Sequence, residues 1–341
     1  MSIARIIKAA AAALACSAAG HMPAHAQAYP QLTILVGSPT GGSYDLYARV
    51  IARHMGRHLP GLPNVVVQNL PGGGGYAAVN QLANTAPKDG SVIATFSRAV
   101  PMQPLIDKTG VHFDPQQLLW IGSPSDEVGL ALSWHKSPVK SFDDLQKTGM
   151  TVASTGPGTD TNVFARVVAN VLGIKLKLVS GYRGAADMLL AVERGEVDGA
   201  VGISWASLWP HKKDWVENNQ VNFLIQLTLQ DGHERLRGVP RIIDVVSKQE
   251  DRDLLDVIFA RQTMAYPYAA APGVPPERLA DLRKAFAATL TDSEFLAETM
   301  KSGMSIKPVS AEQMTTIVKR VYSSAPAMIE RVKTAMSATN E

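Results

Sequence analysis

Three stretches of the chain place glycine and small hydroxyl residues between a β-rich run and a helical pattern: SPTGGSYD from Ser38, NLPGGGGYAA from Asn69 and STGPGTDTN from Ser154. A loop of this kind leaves backbone N–H groups pointing outward, and the helix that follows adds positive potential at its N-terminus, so its natural guest is an anion. One such loop alone reads as a tight strand-to-helix turn; three together point to ligand binding. Two of them look like copies of one unit. TGGSYDLYARV (Thr40 to Val50) aligns without gaps on PGTDTNVFARV (Pro157 to Val167), matching Gly41 with Gly158, Asp45 with Asn162, Tyr47 with Phe164, and the ARV that closes each. Two equivalent loops far apart in sequence fit two similar lobes facing each other across a cleft better than one continuous sheet.

Rival chemistries are weaker. Gly72, Gly74 and Ala77 spell G-x-G-x-x-A after a strand, but SVIATFS ends without the ribose-binding acid that a dinucleotide site places about twenty residues on. GISWA at Gly202 to Ala206 approaches the nucleophile elbow G-x-S-x-G, and Asp231 and His233 follow Ser204 in the order a triad would need. Yet Ala206 replaces the last glycine, Pro210 interrupts the helix, and Asp231 and His233 nearly adjoin. A secreted serine hydrolase centred on Ser204 is therefore the alternative rather than the leading reading. His54 and His58 are four apart, but no Glu follows His54, and Arg53 and Arg57 beside them would repel a cation, so this side is read as a solvated basic face. No metal or cofactor is expected.

Around the loops, LTILVG, NVVVQN, SVIATF, MTVAST and VDGAVGI read as strands that alternate with helical patterns, the order of an α/β fold with mostly parallel sheets. In DLYARVIARHM, Tyr47, Ile51 and Met55, with Leu59 beyond, share one side, and Arg49, Arg53 and Arg57 lie opposite. GLALSWHKSPVKS and RQTMAYPYAAAPGVPP read as connections between lobes. Pro275 and Pro276 open a C-terminal helical region in which Thr291 with Glu294, and Ser310 with Gln313, suggest capping boxes. The boundaries predicted are a signal peptide over 1–26, a first lobe from 27–130 and 263–341, and a second lobe over 131–262, with the C-terminal helices on the first lobe.

Arg5 and Lys8 precede or punctuate an apolar run that is followed by small residues and AHA, an export signal cleaved after Ala26, so a periplasmic protein is expected. The one cysteine, Cys16, leaves with that leader, and with it any disulfide or thiol chemistry. Without Arg5 and Lys8 the chain keeps 31 basic against 30 acidic residues, a balance that gives no support for nucleic-acid binding.

In order and spacing, SPTGGSYDLYAR, QNLPGGGGYAAV, APKDGSVIA, GPGTDTNVFA, GYRGAADMLLAVERGEVDGA and GVPRIIDVV resemble the segments of the substrate-binding receptors of tripartite tricarboxylate transporters, often called Bug receptors. The resemblance covers nearly all of the chain after the leader. It implies a two-lobed periplasmic-binding-protein (Venus-flytrap) fold, a small organic carboxylate in the cleft, and delivery to a large and a small integral-membrane transporter subunit; a monomer is expected. A sensor that presents the same ligand to a signalling partner would show the same motifs. Carried to matching positions, it names Ser38, Thr40, Gly41, Gly42 and Ser43 in the first loop and Thr155, Gly156, Gly158, Thr159, Asp160 and Thr161 in the second as ligand-binding, with Ser204 completing the set. In the family these loops hold a carboxylate largely through main-chain amides and waters, and neither loop here contains arginine. Ser38 stands where the family commonly has an aromatic residue, Asn162 where it often has histidine, and Gly202 near a frequent acidic position. Loss of the aromatic at Ser38 favours an aliphatic di- or tricarboxylate, whereas Trp205 and Trp209, as cleft wall rather than core, would favour an aromatic acid.

Overall fold

The structure, a computed structural model, describes residues 31–156 and 158–337. The expected cleavage after Ala26 lies outside those residues, as does Pro157 of the repeated unit. Eleven strands are described: β1 (Gln31–Val36), β2 (Asn64–Asn69), β3 (Val92–Thr95), β4 (Leu119–Ser123), β5 (Gly129–Trp134), β6 (Met150–Ser154), β7 (Leu176–Ser180), β8 (Gly199–Ser204), β9 (Val221–Leu227), β10 (Tyr268–Ala270) and β11 (Val309–Ser310). They form two sheets, one ordered β11-β4-β10-β3-β1-β2 and the other β7-β6-β8-β5-β9. Each sheet with its helices is one lobe.

Strand composition follows position. β8 is central and buried along its whole length, which suits the apolar run GAVGIS, whereas β2 at a sheet edge alternates, with Val65 and Val67 turned to the core. β1 pairs in parallel with β2 and β3, and β6 with β7 and β8. Of the two runs read as connections, the first begins at Gly129 and is already β5 of the second sheet, the chain having crossed between β4 and β5, while the second crosses after helix Gln249–Thr263; each run supplies an interior antiparallel strand, β5 between β8 and β9, and β10 between β3 and β4. A short apolar run bounded by turn residues suits a buried strand as well as a connection, and only its partners decide.

Helix Ser43–Met55 buries Tyr47, Ile51 and Met55 as its spacing predicts, and Leu59 joins the same core past a 3-10 turn at Gly56–His58. Its basic side keeps Arg53 and Arg57 exposed, but they are paired rather than free and His54 is buried. Helix Ser293–Lys301 lays acidic residues along it: Glu298 accepts from Arg53 and meets His54 Nε2 at 2.7 Å, Asp292 meets Arg57 at 3.1 Å and His58 Nε2 at 3.1 Å, and Glu294 also pairs with Arg57. His54 is buried there, edge-on to Phe295. The capping box at Ser310 and Gln313 is present, and Pro276 opens helix Pro276–Thr291. The other cap shifts by one residue: because that helix runs through Thr291, Asp292 caps the next by accepting from Glu294 N and Phe295 N.

The last helix, Pro326–Met336, departs from the expected allocation to the first lobe. Val332 and Ala335 enter the second core with Val163, Val167 and Phe259, because Met328, Val332, Ala335 and Met336 fill the angle between helices Asp160–Leu172 and Gln249–Thr263. Val332→Ala should cost about 1–3 kcal/mol of stability in urea unfolding, as removal of a buried aliphatic side chain does; an unchanged midpoint would show this helix to be a surface attachment.

Candidate ligand-binding cleft

The two related helices begin alike. Gly42 before the first (φ −73°, ψ 164°) and Thr159 before the second (φ −77°, ψ 157°) take the extended N-cap conformation, and neither supplies a side-chain cap. Asp45, buried in the first turn, instead ties down the preceding loop: it accepts from Gly41 N at 2.8 Å, Asn69 Nδ2 at 2.9 Å and Arg49 Nε at 2.9 Å. Burial alone would raise its pKa, but these donors outweigh burial and hold it below the ordinary carboxylate range. Asn69 also donates to Ser38 O at 3.0 Å and accepts from Thr40 Oγ1 at 3.2 Å. Gly41 sits at φ +86°, where a side chain would be strained. In the second unit Asn162 takes the position of Asp45 and accepts from Arg166 Nε at 2.9 Å, so the repeat extends to an i,i+4 pair in each helix.

The second loop gathers hydroxyls. Thr155 Oγ1 lies 2.9 Å from both Thr159 Oγ1 and Thr161 Oγ1, Thr155 N donates to Thr161 Oγ1 at 3.1 Å, and Thr159 Oγ1 donates to Gly156 O at 2.7 Å. Ser204 ends β8, accepts from Ser207 N at 3.0 Å and donates to Ser207 Oγ at 2.8 Å, capping helix Trp205–Glu217. Thr155, Thr159, Asp160, Thr161 and Ser204 line one cavity of 190 Å³. Gly156 and Gly158 are not in its lining. Ser38, Thr40, Gly41, Gly42 and Ser43 also lie outside it, with all but Ser38 exposed to solvent.

The residue that joins the two loops is one the motifs did not name. Arg98 follows β3 on the first lobe, lines the same cavity, and donates Nε at 3.0 Å and Nη2 to Oδ2 of Asp160 on the second lobe. Its backbone N donates to Tyr44 Oη at 3.0 Å, linking it to the first helix. Arg261 Nη2 stands 3.0 Å from Asp160 Oδ1, and its guanidinium lies over the Phe164 ring. Both arginines are buried. Burial would raise the Asp160 carboxyl, but Arg98 and Arg261 outweigh it and hold the acid ionised below its ordinary range. A guanidinium therefore does reach the cleft, although neither glycine loop carries one. No local pattern in the sequence marks Arg98, which lies three residues past β3.

Behind this group, Glu127 stands where the chain crosses between lobes. Its backbone N donates to Gln262 O at 2.9 Å, its carboxylate accepts from Val128 N at 3.1 Å and from Tyr266 Oη at 3.4 Å, and burial pushes its pKa up to about 7. Trp205 is mostly core, stacking on His233 at 4.0 Å and on Trp209 at 5.4 Å. These rings border a separate recess of 330 Å³ with Lys307 and Met304. Burial pushes the His233 pKa down to about 4, and its Nδ1 accepts from Arg235 N at 3.3 Å, while the Ser204 hydroxyl is engaged with Ser207. No described hydrogen bond joins Ser204 to a histidine.

Two α/β lobes with a polar cavity at their junction are the architecture of periplasmic binding proteins. The chain matches the model of the tripartite tricarboxylate transporter family receptor (TctC) over residues 47–333, and it belongs to that family. A Cupriavidus necator protein described as "UPF0065 protein in gbd 5'region" is 25% identical over 338 residues, 96% of this chain and 95% of that protein. Among solved structures, a TctC solute-binding protein from Polaromonas is similar at TM-score 0.67 and 18% identity, covering 88% of this chain and 98% of that one. R. palustris Rpa4515 with adipate is similar at TM-score 0.64 and 20% identity, covering 90% and 97%. The family is one of receptors rather than enzymes.

Glu127 makes stability depend on pH in a stated direction. With its folded pKa raised above the ordinary 4.5, the fold prefers the protonated acid, so this contribution is complete below about pH 4.5 and is lost as pH rises through about 7. Asp160 acts oppositely and only below the ordinary carboxylate range. Glu127→Gln keeps a carbonyl acceptor and should remove the decline between those limits, leaving the variant more stable above neutral pH by about 3 kcal/mol or less. Melting curves of both proteins from pH 4.5 to 8 measure it; parallel curves would show that Glu127 is hydrated.

Proposed function

We propose that this protein is an exported receptor that captures a small organic carboxylate between its lobes and presents it to the large and small membrane subunits of a tripartite tricarboxylate-type transporter. The observation that carries this reading is the junction itself: a 190 Å³ cavity that brings the hydroxyls of Thr155, Thr159, Thr161 and Ser204 to a buried guanidinium of the opposite lobe. Hydroxyl and guanidinium donors suit a carboxylate, and hydrogen bonds to a charged group contribute roughly 1.5–3 kcal/mol each. The adipate that accompanies Rpa4515, a protein of similar fold, supports the same ligand class. Periplasmic location fits the export signal read at residues 1–26, and no helix among the described residues is long and apolar enough to cross a membrane. The first loop, Ser38 and Thr40 to Ser43, is assigned to the ligand because it repeats the second loop and leads into Tyr44, whose hydroxyl accepts from Arg98 N.

Thermal-shift screening of the exported protein against mono-, di- and tricarboxylates tests this directly. A ligand at a hundredfold excess over its Kd should stabilise the protein by about 2.7 kcal/mol. Thr161→Val removes one hydroxyl without changing shape and should weaken binding about tenfold or more. For the first loop, Gly42→Val is the cleaner probe: at φ −73° its Cβ meets nothing closer than Pro39 O at 3.5 Å, whereas valine at Gly158, φ +78°, would be strained. A folded Gly42→Val protein that binds normally would remove the first loop from the site, and melting unmoved by every carboxylate would sink the reading.

A further inference from the structure

The charges around the cavity are few enough to count. Among the described residues, Arg98 is the one cationic side chain in its lining and Asp160 the one anionic. Asp160 takes Nε and Nη2 of Arg98, and no described contact takes Nη1. Ala185, Met188 and Ile203 supply an apolar wall, and threonine and serine hydroxyls supply most of the remainder. Arg261 lies outside the lining, against the other oxygen of Asp160. Arg183, the nearest arginine in sequence to the apolar wall, is exposed and paired with Asp187 at 2.8 Å. Glu127 also acts electrostatically on Arg98, but it adds negative charge only.

We infer that the cleft selects a small monocarboxylate, with Asp160 as the residue that sets this preference; the inference rests on the carboxylate reading above. Two guanidinium groups against Asp160 leave at most a single positive charge, and less where Glu127 is ionised, so one ligand carboxylate at Arg98 is all that this group can neutralise. A second carboxylate in the same cavity would meet the apolar wall or Asp160 itself. An unpaired buried charge, or two like charges in contact, costs more than neutral hydroxyls return. The cavity volume of 190 Å³ is below the roughly 300–1,000 Å³ of drug-sized sites, so a short ligand is called for, with its tail on the Met188 side. Asp160 thus acts as a built-in second carboxylate.

Calorimetry on ligand-stripped protein with acids paired by chain length tests this: butyrate against succinate, 3-hydroxybutyrate against malate, hexanoate against adipate. The wild type should bind the monocarboxylate about tenfold or more tightly in every pair that it recognises. Asp160→Asn should move that ratio about tenfold or more toward the dicarboxylate, and Asp160→Glu, which keeps the charge, should preserve it. A wild-type preference for dicarboxylates overturns the inference while leaving the carboxylate receptor intact, and so does an unchanged ratio in folded Asp160→Asn. If Asp160→Asn does not fold, the wild-type ratio decides alone. Binding of neither acid in any pair overturns the carboxylate reading and this inference together.

Discussion

Where the lobes meet, one carboxylate answers two guanidinium groups, and the surrounding arrangement follows from their burial. A buried charge left without a partner costs several kcal/mol, so each member constrains the others. Asp160 and Arg261 share the second lobe, and Arg98 arrives from the first. Asp160 pairs with Arg261 inside its own lobe, so its charge is met without relying only on the arginine of the other lobe. That asymmetry explains why two arginines attend one acid. It also requires the acid to be placed by something rigid, which the first turn of helix Asp160–Leu172 provides.

The tyrosines beneath that group serve the same end. Tyr266 stacks on Tyr47 at 4.0 Å and meets Tyr44 edge-on at 5.3 Å, so the return crossing is packed against the helix that follows the first loop. Tyr47 Oη donates to Ser305 O at 2.8 Å, and Tyr266 N donates to Ser123 Oγ at 3.0 Å, which fixes the rings in place. Aromatic pairs of this geometry add about 0.5–1.5 kcal/mol beyond the area they bury. Position at the cleft therefore comes from packing at the hinge as much as from the polar groups themselves.

Much of this was legible in the sequence, and the limits have physical causes. The strands carrying the glycine loops show as apolar runs, and the helix after the first loop shows its buried stripe at Tyr47, Ile51 and Met55. The repeated unit marks both loops because local backbone needs similar residues in both copies. Asp160 is visible as a loop residue, but its partners lie 62 positions upstream and about a hundred downstream, and no local pattern announces either arginine. The basic side of the first helix looked solvated because its acidic cover comes from residues 292–298, more than two hundred positions on. The stripe of the last helix likewise says that one face is buried without saying against which lobe. Periodicity reports a face; it does not report a partner.

That last helix changes how the molecule can move. The chain passes between lobes at three places: from β4 to β5, from helix Gln249–Thr263 to β10, and across Ser323 to Ala325, between a helix packed on the first core and one packed on the second. Two tethers would permit the halves to swing and also to twist. A third restricts twist and favours rotation about one line. A membrane partner that touches both halves then needs to gauge only a single angle.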